Sequence, residues 1–159
     1  MKILKIGLAT FFCLFFFAQY AVAGDIESAH RILMRADFTR NPTVDETPDF
    51  INRIYTRETN DSYVGVSLLF RKPGLKLCDM TVVISDKYSK AELINVLNPL
   101  LRIMLKEKNA DFTNMLAYLL AARKVVGTQN EGDSLRIICS PFSINGVSGR
   151  KIRFEPKIH

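Results

Sequence analysis

The chain has 159 residues, 48% of them hydrophobic, which suffices for one domain's core and excludes a disordered tail. Its 22 Lys and Arg stand against 16 Asp and Glu, a formal charge of +6. So mild an excess does not argue for nucleic acid, and no aromatic-basic interleaving of the kind that stacks bases is present.

Two lysines, Lys2 and Lys5, precede an uncharged apolar run from Ile6 to about Ala18. Ala21-Val22-Ala23 then stands before Gly24, the small-x-small pattern a signal peptidase cleaves. The expectation is a signal peptide over residues 1–23 and a single α+β domain over 24–159. The product is then periplasmic or secreted, and the short lysine-flanked leader points to a bacterial source. Residues 6–23 only just reach membrane-spanning length, and Gln19 and Tyr20 interrupt them, so no stable membrane insertion is expected after cleavage. Without Lys2 and Lys5, 20 basic residues face 16 acidic ones.

Asp25 caps a first helix in which Ile26, Ala29, Leu33, Met34 and Phe38 recur at helical spacing. His30 borders that stripe, where a structural role outweighs a catalytic one because no partner is visible. Asn41-Pro42 ends the helix. Thr47 with Pro48 then predicts a second short helix, with Phe50, Ile51, Ile54 and Tyr55 as its apolar stripe. Asp45, Glu46 and Asp49 cluster at its entry, but without the alternating ligand pattern of a calcium loop.

From Tyr63 the period changes to two. Val64, Val66, Leu68 and Phe70 share one face, Pro73-Gly74 signals a turn, and Cys78, Met80, Val82 and Ile84 share a face of the returning strand. Ser89 and Glu92 form a capping box for an apolar helical region that Pro99 breaks or kinks. Asp111 caps the next helix, which carries Phe112, Met115, Leu116, Leu119, Leu120 and Val126; Arg123 and Lys124 suit its end, and Gly127 terminates it. A second hairpin follows. Leu135, Ile137 and Cys139 face one way, and after Asn145-Gly146, Ile152 and Phe154 turn inward. The predicted fold is therefore α+β: a largely antiparallel sheet of about four strands with helices on one face, in the order α-α-β-β-α-α-β-β.

With Cys13 lost in the leader, Cys78 and Cys139 remain, and in an exported protein an even count predicts one disulfide. It would close a loop of 139 − 78 = 61 residues, worth about 4 kcal/mol in the chain-entropy model. Two thiolates with no nearby His make a poor metal site, so neither a metal nor a cofactor is expected. No nucleophile elbow, zinc-protease motif or glycine-rich phosphate loop occurs.

The basic set is Arg136, Arg150, Lys151, Arg153 and Lys157. Of these, Arg136, Lys151 and Arg153 project from the uncovered sheet face, with Tyr63 beside them, as a possible binding face for an acidic partner, a polyanion or anionic lipid headgroups. An ordinary solvated face, its charge moderated by Asp79 and Glu155, is the alternative. The function expected is a small non-enzymatic protein-binding module of the inhibitor, immunity or envelope-adaptor kind. Its partner is another protein and not nucleic acid. The alternatives are a small periplasmic hydrolase using Asp45, Asp49 or His30, and a structural subunit whose strand edge pairs with a neighbour.

Overall fold

A computed structural model describes residues 24–59, 62–121, 127–131, 134–144 and 147–157. The expected leader, Asn60, Arg123, Lys124, Val126, the Asn145-Gly146 loop and His159 lie outside these. The described residues form α1 (Gly24–Arg35), β1 (Thr43–Glu46), β2 (Phe50–Thr59), β3 (Ser62–Arg71), β4 (Lys76–Ser85), α2 (Lys90–Leu105), α3 (Thr113–Ala121), β5 (Gly127–Glu131), β6 (Leu135–Ile144) and β7 (Val147–Pro156). All seven strands join one antiparallel sheet in the order β1-β2-β3-β4-β7-β6-β5. The α+β class stands. The expected four strands and α-α-β-β-α-α-β-β order are corrected to seven strands and α-β-β-β-β-α-α-β-β-β.

The largest correction is the second helix. Thr47 does organise a chain reversal, but as a hairpin turn. Its N–H donates to the Phe50 carbonyl at 2.9 Å, and its Oγ1 accepts from the Phe50 N–H at 3.1 Å. Pro48 takes the second turn position, where its fixed φ suits a turn as well as a helix start. The stretch that follows is β2. Its helix-side residues are Ile51, Arg53, Tyr55 and Arg57, each paired to a buried residue of β3. Two arginines on the inner face erase the period-two alternation that would have marked a strand. Arginine stems can cover apolar surface while the head reaches polar groups, as Arg57 does here, whereas the buried Arg53 Nε has no hydrogen-bond partner among the described residues. Arg57 donates to the Ala36 carbonyl, the Tyr88 hydroxyl and Glu92.

Helix α1 forms as expected but ends six residues before Asn41. Phe38 N–H donates to the Leu33 carbonyl and Asp37 N–H to that of Met34, both near 3.1 Å, with Asp37 at φ 59°. These bonds define a Schellman end, and the buried Leu33 and Phe38 are positioned for the apolar contact that accompanies it. Helix α2 is continuous through Pro99 and buries Leu93, Val96, Leu97, Leu100, Leu101 and Met104. Each such leucine contributes about 2 kcal/mol in burial. The expected capping box is not made: Ser89 forms no side-chain cap bond, and Glu92 turns to Arg57 instead. Asp111 does serve the start of α3, accepting from the Thr113 N–H at 3.0 Å and hydroxyl at 2.6 Å. These bonds hold its carboxyl below the ordinary range. Asn98 of α2 locks the two helices together, accepting from Phe112 N–H and donating to Asp111 and Thr113.

All three helices cover the same sheet face. Across it run rows of directly paired residues such as Tyr55, Val66, Val82, Ile152 and Cys139. Leu68, Met80, Phe154 and Ile137 form the next row. All nine are buried. Arg150 of β7 lies on this covered side too, in step with Ile152 and Phe154. It is buried, and its guanidinium donates to the Leu119 and Leu120 carbonyls at 2.7 and 2.6 Å, satisfying the last turn of α3.

The expected disulfide is also corrected: Cys78 and Cys139 are both free. Leu69 pairs with Asp79 but Phe70 with Leu77, so Cys78 is the extra residue of a β-bulge. The bulge gives Leu77 the inward place the alternation assigned to Cys78, and the Cys78 thiol donates to the Leu69 carbonyl. Cys139 pairs with Ile152, which pairs with Val82. It therefore lies two strands from β4 and four residues along from Cys78. With strands about 4.8 Å apart and residues about 3.3 Å apart, the Cα atoms are separated by roughly 16 Å, whereas a bridge spans at most about 7 Å.

Candidate functional site

With the helices on one side, the other side of the sheet is open among the described residues. Its central row, read from paired residues, is Thr43, Ile54, Ser67, Thr81, Arg153, Ile138 and Thr128. Flanking it are Asn52, Leu69 and Asp79 on one side, and Thr56, Gly65, Val83, Lys151 and Ser140 on the other. Ile54, Leu69, Val83 and Ile138 are all half-buried. The small Gly65, Ser67, Thr81 and Ser140 between them keep the surface low. Tyr63 fits this pattern. Its ring lies over Gly65, where an added Cβ would stand 2.7 Å from the phenol oxygen, and burial together with the charge of Glu58 pushes that phenol up.

Arg136, Lys151 and Arg153 all lie on the open face, through their pairings with Glu155, Val83 and Thr81. They are not a free cationic cluster, however. Arg153 Nε donates to Asp79 Oδ2 at 2.7 Å and lies 3.0 Å from Glu155 Oε1, and Arg136 Nη1 is 3.7 Å from Glu155 Oε2. A row of alternating charge results: Asp79, Arg153, Glu155, Arg136. Burial pushes the Asp79 carboxyl up against the pull of Arg153, while the hydrogen bond that Arg153 donates to Asp79 holds the guanidinium up. Lys151 makes no ion pair among the described residues. Asp79 was expected on the outer side of β4, moderating the basic face with Glu155; its hydrogen bond with Arg153 needs β7 beside β4, seventy-four positions away.

The residues named for a hydrolase are not brought together. Asp45 lies on the open face of β1 and Asp49 in the turn after it. His30 is on the helix side, its Nδ1 3.2 Å from the Tyr55 hydroxyl and its ring tilted against the Tyr55 ring at 5.8 Å. Among the described residues no three His, Cys, Asp or Glu side chains group so as to hold a metal, and no helix is long and apolar enough to cross a membrane. A shallow groove at the junction of α1 and α2 is lined by Asp25, Arg102, Ile103, Lys106 and Lys108. Two of its cations are engaged: Lys106 with Asp25, and Arg102 with the Ala110 carbonyl at 2.6 Å. No family model, curated protein or solved structure matches this chain.

Proposed function

We propose that the protein is an exported, non-enzymatic binding module that recognises another protein on the open face of its sheet. Export rests on the leader over residues 1–23 and its Ala-Val-Ala site, which place the processed chain in the periplasm or outside the cell. The observation that carries the binding role is the one-sided sheet. Seven strands of up to ten residues offer a face on the order of 800 Å², at about 4.8 Å per strand, the area one partner buries in a standard interface. Half-buried Ile54, Leu69, Val83 and Ile138 supply its apolar centre, and the charged row supplies a polar element. Inhibitor, immunity and envelope-adaptor roles all fit such a surface.

The test is capture of a partner from the native envelope by the tagged protein and by its Ile138→Asp variant. Ile138 is half-buried on the open side, so the variant retains its core. The expected outcome is a discrete partner retained by the parent and lost by the variant. A partner bound equally by both would remove the open face from the function.

A further inference from the structure

The ion pairs of the open face are layered in depth. The carboxylates lie low, with 12% of the Asp79 side chain and 22% of that of Glu155 accessible. The guanidinium groups stand above them, with 46% of Arg153 and 55% of Arg136 accessible. Lys151, exposed and on the same strand and face as Arg153, adds a charge without a counter-ion among the described residues. The row is balanced in sum, yet what an approaching molecule meets is positive.

Arg153 is further specialised. Its inward hydrogen bond to Asp79 and its close approach to Glu155 both use Nε, and its two Nη groups form no hydrogen bond with the described residues. Anchoring at Nε fixes the plane of the guanidinium before any partner arrives, and the unused Nη pair is the fork that matches a carboxylate. Thr81 and Ile138 flank it in the central row, with Val83 beside Lys151. We infer that Arg153, aimed by Asp79 and Glu155 and assisted by Lys151, is the point at which the open face receives a carboxylate of its partner, so that the partner is a protein presenting an acidic, extended segment. This rests on the open face being the binding surface.

A protein segment fits better than an anionic lipid surface. The apolar residues of this face are recessed between charged ones, whereas a membrane binder inserts exposed apolar side chains. Among the described residues, the exposed large hydrophobics Val44 and Tyr118 lie on the helix side of β1 and on α3.

The experiment is a nuclear magnetic resonance titration of the processed protein with N-acetyl-Val-Glu-Val-Glu-Val-amide and with its Gln counterpart. The Glu peptide is expected to shift the Arg153 Nε–H signal and the amides of Thr81, Ile138 and Lys151. The Gln peptide should bind about tenfold more weakly, and Arg153→Lys should weaken the Glu peptide by about tenfold while leaving the melting temperature unchanged. Equal binding of the two peptides, no shift at millimolar peptide, or indifference to Arg153→Lys would overturn the inference. So would stronger binding of phosphatidylglycerol vesicles through the same residues. If Ile138→Asp abolishes partner capture while Arg153→Lys leaves it intact, the carboxylate contact fails and the open face stands; if neither variant affects capture, both fail.

Discussion

Asp79 and Arg150 are the two buried charged residues among those described, and they are buried for opposite reasons. Arg150 hydrogen-bonds the backbone carbonyls that end α3, so its charge meets oriented dipoles. Asp79 faces the open side and meets a partly exposed guanidinium, which does not fully offset its loss of water. Its carboxyl is therefore raised above the ordinary value of about 3.9. The folded state then binds the proton more tightly than the unfolded chain, and stability falls as pH rises from that ordinary value through the raised one. Asp79→Asn removes this slope. Urea midpoints taken between pH 3 and pH 7 should show the variant gaining on the parent as pH rises, with the difference level above the window. A difference that moves the other way would show that Arg153 more than offsets the burial. His30, by contrast, was legible at this scale. A histidine at the edge of an apolar stripe finds a buried tyrosine hydroxyl, and the sequence lacked only the identity of Tyr55.

Among the elements, those with strong local instructions form where the sequence places them. The hairpin β3–β4 follows from alternation and the Pro73-Gly74 turn, and α1 and α2 follow from stripes of period 3.6. Elements whose pattern depends on distant partners do not read out. Arg57 is accommodated at an inward position on β2 by the Ala36 carbonyl, the Tyr88 hydroxyl and Glu92, and no local rule anticipates this. Cys78 leaves the inner face because a bulge inserts one residue opposite β3. The β4–β7 contact, which joins the first four strands to the last three, shows how tightly such a junction is set. A Cβ on Gly149 would stand 2.2 Å from the Ile84 carbonyl oxygen and 2.9 Å from Ser85 Cα. Backbone cannot yield as a flexible side chain can. Gly149→Ala is expected to cost about 2 kcal/mol or more and to expose amides of β4 and β7 to hydrogen exchange before those of β2 and β3. Unchanged thermal stability would mean that the two strands separate here without penalty.

At the level of the whole molecule, stability comes from the helix layer lying on one large sheet, with Phe70, Phe154, Leu97 and Leu101 among its fully buried side chains. No cross-link is required. Burial pushes both thiols up, and Cys139 is 3% exposed against a half-buried Cys78. Unfolded without reductant, residues 24–159 should therefore titrate two thiols, Cys78 and Cys139. In the folded state Cys78 should react first, since thiolate fraction and access both govern the rate. An intact bridge by mass spectrometry would contradict the register of β4, β7 and β6.

The mixed α+β class, the main helices and the β3–β4 hairpin were determined by local sequence, because hydrophobic period and turn residues act over a few positions. The placement of Arg136, Lys151 and Arg153 on the outer face also followed from alternation alone. Only the tertiary structure decided the number of strands, the free cysteines, the partners that hold Arg150 and the ion pairing of Arg153. Each depends on which strand lies beside which, and that choice is made by packing and hydrogen bonding between residues far apart in the chain, where no local pattern carries the information.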